Sequence, residues 1–102
     1  MTERRTMIEA AWENRELLKN EDYKQTVFDV IEDLDKGMIR VAEPGSDGWI
    51  VNEWVKKAVI LYFPLRSMET IEVGPFEFHD KIPLKKGFAE LGVRVVPHAL
   101  AR

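Results

Sequence analysis

Gly48 to Pro64 reads GWIVNEWVKKAVILYFP and holds the longest apolar run of the chain, with two of its three tryptophans, Trp49 and Trp54. Burying a large apolar side chain is worth roughly 1.5–3 kcal/mol, so this stretch must be covered. Asn52 suits a helix N-cap, where its side chain accepts from free backbone N–H groups. Glu53 then falls in the first turn, where a negative charge complements the helix dipole. Lys56 and Lys57 give one wet edge, and from Ala58 to Phe63 no polar face remains, which predicts burial all round. Pro64 disfavours helical geometry at Phe63 and is expected to end the element. A buried strand over Ala58–Phe63 is the rival reading of so short an apolar run. The capped length from Asn52 favours the helix.

Working outward, Thr6 to Lys19 predicts a helix with Ile8, Ala11, Trp12, Arg15 and Leu18 on one face. Thr6 and Glu9 match a capping box, although a start near Thr2 also fits, and Asn20 suits a stop. Asp22 to Lys36 predicts a second helix, apolar at Val27, Phe28, Val30, Ile31 and Leu34. Gly37 stands where a left-handed C-terminal residue is wanted, and the short link favours an antiparallel pair. Ile39–Ala42 and Trp49–Val51 read as hairpin strands around the turn-rich EPGSDG. Trp49 and Val51 would share a face and cover a helix.

After Pro64 the chain reads as an extended arm. Glu69–Val73 alternates weakly, Gly74 and Pro75 break it, and Phe76 and Phe78 alternate in strand fashion. Lys81, Pro83, Lys85 and Lys86 form a basic loop, and Val93–Val96 is a last apolar run. Val96–Arg102 offers at most one partial rung of a six-residue repeat. The predicted fold is α+β and mostly helical: a helix pair, a small β-hairpin, a third buried helix and an extended C-terminal arm.

The 102 residues suffice for one small domain. Composition is that of a globular protein, with 45% hydrophobic and 32% charged residues. A net charge of −3 and a pI near 5.4 argue against nucleic-acid binding, which needs excess Lys and Arg. The absence of cysteine excludes disulfides, thiolate zinc sites and cysteine catalysis. MTERRTMIEAAWENR is too charged for a secretory signal, and no apolar run reaches membrane-spanning length, so the expected compartment is the cytoplasm.

Several stretches in order (AAWENRE, IRVAEP, DGWIVNEWVKKAVILYF, IEVGPFEFHDKIPLK and GVRVVPHALAR) resemble the amino-terminal domain of the 2,3,4,5-tetrahydropyridine-2,6-dicarboxylate N-succinyltransferases of lysine biosynthesis. The resemblance spans about Ile8 to Arg102. It implies a helical N-terminal domain joined to a left-handed β-helix of hexapeptide repeats, a homotrimer, and succinyl-CoA as co-substrate bound on the β-helix between subunits. Residues 1–92 would be the N-terminal domain, and 93–102 the start of the connection to that β-helix. The β-helix is missing from this sequence, and with it the acyl-CoA site and the family's catalytic carboxylates. The expectation is a fragment without turnover of its own.

Arg94 matches the arginine of the family's RVVP motif, which the resemblance implies contacts the dicarboxylate substrate. Independently, a guanidinium is always charged and can hold a carboxylate with two parallel hydrogen bonds. On a strand it would point opposite to Val93 and Val95; the alternative is a solvated or structurally paired arginine. Lys81 and Lys85, with Asp80, match D-K-x-P-x-K and could add positive potential near an anionic substrate or CoA phosphate, or merely line a solvated loop. His79 and His98 could serve as bases. Neither has a recognisable relay, and two distant histidines make no metal site. Trp12, Trp49 and Trp54 read as core packing rather than a stacking cluster. A second class of function is a free-standing interaction module using the arm after Pro64, and a third is a small carboxylate binder built on Arg94.

Overall fold

A computed structural model of the chain describes residues 2–102. Helix α1 spans Thr2–Glu13, a 3₁₀ turn follows at Arg15–Lys19, and α2 runs Glu21–Asp35. A hairpin of β1 (Ala42–Gly45) and β2 (Gly48–Val51) leads into α3 (Glu53–Leu65). A second hairpin, β3 (Glu69–Val73) and β4 (Phe76–Asp80), precedes the short α4 (Phe88–Leu91). The chain divides into two compact units, residues 1–65 and 66–102.

In the first unit α1, α2 and α3 enclose one core. Ile8 and Ala11 of α1, Leu18 of the 3₁₀ turn, Val27 and Val30 of α2, and Trp54, Val55, Ala58 and Leu61 of α3 are buried together. Spacings of three and four on each helix produce this, as an amphipathic pattern requires. The third helix of the sequence reading is therefore present, and the strand alternative is not adopted. Phe28 and Tyr62 meet edge-to-face with centroids 6.0 Å apart, joining α2 to α3. Two partly exposed ion pairs brace the bundle. Arg4 reaches Asp33 across α1 and α2, and Lys57 reaches Glu9 across α3 and α1 at 2.8 Å. Pairs this wet contribute at most about 1 kcal/mol each, so packing sets the arrangement.

Several boundaries differ from the sequence reading. The first helix starts at Thr2, so Thr6 caps nothing; its hydroxyl donates back to the Thr2 carbonyl. It also breaks at Asn14, whose side chain accepts the Glu16 N–H and offers the backbone an alternative to the helical ladder. Asn20 caps α2, its side chain accepting from Asp22 N–H at 2.8 Å. At the other end Gly37 takes φ 76°, with Met38 N–H bonded to Asp33 O and Gly37 N–H to Leu34 O. This is a Schellman ending in a conformation that suits glycine.

The first hairpin is shifted relative to expectation. Its strand is Ala42–Gly45 rather than Ile39–Ala42, with Gly45 opposite Gly48 and only Ser46 and Asp47 in the turn. A Cβ at Gly45 would fall 2.5 Å from Ile50 Cδ1, so a larger residue there would require the half-exposed Ile50 side chain to shift. Trp49 and Val51 do not cover a helix: they are 73% and 51% exposed, because α1 and α2 already occupy the buried stripe of α3. Core packing thus holds for Trp54 and the half-buried Trp12 but not for Trp49.

Helix α3 is not buried all round. Lys56, Ile60 and Phe63 form an exposed stripe, opened by the lysine. Asn52 donates its side-chain amide to the Arg40 carbonyl at 2.7 Å, tying the helix start to the residue leading into the hairpin. The helix runs through Pro64 to Leu65. The N–H that proline lacks would have served Ile60 O, on the exposed stripe where water can replace it.

Leu61 and Ile60 are adjacent but differ in cover. Leu61→Ala is expected to cost about 2–5 kcal/mol and Ile60→Ala under about 1 kcal/mol, read from urea denaturation midpoints. Asn20→Ala should cost about 1 kcal/mol through the lost cap, and the same titration checks it.

Candidate functional site

The residues singled out for chemistry all lie in the second unit, so its local construction decides what they can do. β3 and β4 pair antiparallel from Glu69 opposite Asp80 to Val73 opposite Phe76, with Gly74 and Pro75 as the loop. Gly74 has φ 57°, the sign a two-residue hairpin turn needs at its first central position, while the fixed negative φ of proline suits the second. What the sequence presented as an arm is therefore a hairpin followed by a loop, one helical turn and an irregular segment. Alternation along β4 puts Phe76, Phe78 and Asp80 on one face and Glu77 and His79 on the other.

Asp80 organises the following loop. Its carboxylate accepts the backbone N–H of Lys81 and the guanidinium of Arg102, and together these hold it below the usual carboxylate range. Arg66 Nε donates to the Lys81 carbonyl at 3.1 Å, and Lys85 N–H donates to Ala101 O at 2.7 Å. Lys81 is half-buried and Lys85 exposed. The loop that carries the two lysines is thus fixed against Arg66 on one side and the last residues of the sequence on the other.

Arg94 lies in an irregular segment rather than a strand. Upstream, Val93 N–H bonds to Phe88 O at 2.9 Å, closing the end of α4. Downstream, Ala99 N–H bonds to Val96 O at 3.1 Å, with Pro97 second and His98 third at φ 75°, the pattern of a type II turn. Arg94 is exposed, Val93 is exposed beside it, and Val95 is half-buried. Among the described residues no hydrogen bond or ion pair occupies the Arg94 guanidinium. A cation held between two anchored points, with its donors unspent, is suited to grip a carboxylate from outside the chain.

The histidines are engaged otherwise. His79 Nδ1 lies 2.8 Å from Thr70 Oγ1 across the hairpin, and the His98 ring meets Phe76 edge-on at 6.2 Å. Among the described residues no three His, Asp or Glu side chains are grouped to hold a metal ion, and no helix is long and apolar enough to cross a membrane. The roles of Arg66 and Arg102 were missed in the sequence. Nothing in the residues around Asp80 points to a partner so far along the chain.

Comparison with known proteins adds to this geometry. The family model for the tetrahydrodipicolinate N-succinyltransferase N-terminal region matches residues 3–65. A 2,3,4,5-tetrahydropyridine-2,6-dicarboxylate N-succinyltransferase from Pseudoalteromonas translucida is 41% identical, covering 100% of this chain and 41% of that protein. The enzyme of the same description from Bordetella pertussis is 46% identical over 95% of this chain and 39% of its own length. That from Paraburkholderia phytofirmans is 43% identical over 94% and 39%. The chain spans about two fifths of the length of these curated relatives.

The Asp80 contacts predict a pH response whose sign is fixed. Its carboxyl titrates lower in the folded chain than in an unfolded one, so its stabilisation is complete above the ordinary aspartate pKa of about 3.9 and is lost as pH falls through the folded value. The NMR signal of the Lys81 amide, which donates to the Asp80 carboxylate, should stay constant from about pH 7 to 5 and move only below about pH 4. A transition centred near pH 6 would contradict the assignment.

Proposed function

The chain belongs to the tetrahydrodipicolinate N-succinyltransferase family, matching its N-terminal region, and on that premise we propose that it is the substrate-side domain of an enzyme that succinylates tetrahydrodipicolinate from succinyl-CoA. The product feeds lysine and diaminopimelate synthesis in the cytoplasm. In the reaction the amine nitrogen of the ring-opened substrate attacks the thioester carbonyl. The C–S bond breaks, the CoA thiolate departs, and the amine proton passes to a base. Such a step needs that base and donors for the developing oxyanion.

We assign the thioester-handling groups to the length that the relatives have beyond the matched region. Residues 93–102 are then the start of the connection to a left-handed β-helix, and the whole protein a homotrimer. The part played by this chain is to hold one carboxylate of the dicarboxylate. Arg94 supplies the grip, while Lys81 and Lys85 raise the positive potential nearby. The observation that carries the reading is the exposed, unoccupied guanidinium of Arg94 within its RVVP sequence.

Calorimetric titration of the chain with pimelate, a seven-carbon dicarboxylate, tests it. Arg94→Ala should weaken binding about tenfold or more, the loss of one charge-assisted contact of about 1.4 kcal/mol. Arg94→Lys should recover little, because a point charge does not replace a planar fork. Equal affinity of Arg94→Ala and wild type would remove Arg94 from the site. The 102 residues alone should release no CoA from succinyl-CoA in the presence of substrate; release would refute the division of labour.

A further inference from the structure

The segment that carries Arg94 is held down by contacts that neither the family resemblance nor the sequence motifs describe. His98 meets Phe76, Arg102 pairs with Asp80, and Ala101 O accepts from Lys85 N–H. Phe76 and Asp80 lie on the same face of β4, and their two partners follow in the same sequence order. The stretch from His98 to Arg102 thus runs alongside β4 in the same direction, anchored at both ends. Upstream, Val93 is fixed to α4 through Phe88 O. The intervening residues, Arg94 among them, form a short span between two fixed points. His98 takes φ 75°, which non-glycine residues adopt uncommonly and histidine more readily than most, and its ring lies against Phe76.

We propose that Asp80 is a positioning residue for Arg94. Its carboxylate clasps Arg102, fixes the downstream end of the span, and so restricts where the Arg94 guanidinium can be presented. Holding the cation in place before the ligand arrives lowers the ordering cost of binding. Each contact is modest because the pair is partly wet, so the effect expected is on the affinity and mobility of one segment and not on the fold. The proposal rests on Arg94 as the carboxylate-gripping group, and the test separates the two.

Four chains are compared: wild type, Asp80→Asn, the reversal Asp80→Arg with Arg102→Asp, and Arg94→Ala. Amide hydrogen exchange is read at Ala99 and Lys85, with the β3–β4 ladder amides as an internal control, and pimelate affinity is read by calorimetry. Asp80→Asn should speed exchange at Ala99 and Lys85 about threefold to fivefold, leave the ladder unchanged, and weaken pimelate by a similar factor. The charge-reversed pair should recover both. Faster exchange with affinity unchanged overturns the positioning role, as does wild-type exchange in Asp80→Asn. Loss of affinity that the reversal does not rescue also counts against it. If Arg94→Ala binds pimelate as well as wild type, or wild type does not bind it, the Arg94 assignment fails and the positioning role with it. The exchange data then still decide whether the clasp itself exists.

Discussion

The helical unit depends on one stripe of α3. Trp54, Val55, Ala58 and Leu61 are buried against α1 and α2. Ala58 is the small residue of the stripe and lies fully buried, which fits close packing of the neighbouring helices around it. The charged pairs Arg4–Asp33 and Lys57–Glu9 sit outside this contact. They select an alignment of helices that burial has already made favourable, since wet pairs contribute little of their own. The positions of the first hairpin and of Asn52 follow from the same stripe. The hairpin delivers the chain to the start of α3, and the Asn52 amide fastens that start to Arg40.

How much of this was legible depends on whether the deciding contact is local. The periodicities of α1, α2 and α3 could be read directly, and so could the glycine ending at Gly37, because helix faces and caps are set by residues three or four apart. The break at Asn14 was not read, since an asparagine inside a periodic run signals a stop only through its own side-chain bond to Glu16. The exposed stripe of Ile60 and Phe63 was missed for a different reason. An apolar run without polar residues states how much could be buried, not how many neighbours are present to bury it. Trp49 failed similarly: alternation gave its face correctly but could not show that α3 was already covered.

In the second unit the legibility falls further. The strand character of Phe76–Phe78 and the break at Gly74–Pro75 are visible, yet the pairing of β3 with β4 does not follow from them. Arg94 is proposed through the resemblance of its RVVP sequence, while spacing alone favours a solvated arginine. Its setting between the end of α4 and the turn at Val96–Ala99 needed coordinates. So did the role of Asp80, whose significance lies in a partner far along the sequence and not in its neighbours.

The buried side chains have an uneven distribution with a thermodynamic consequence. Among the described residues all of them lie between Ile8 and Leu61, whereas the β3–β4 ladder and the segment behind it have no fully buried residue of their own. Heat capacity on melting follows the apolar area exposed, so a calorimetric trace would report almost wholly on the helical bundle. The hairpin half could loosen at a lower temperature with little signal. A single melting temperature would then describe the scaffold, and the half that carries Arg94 would need a residue-level probe.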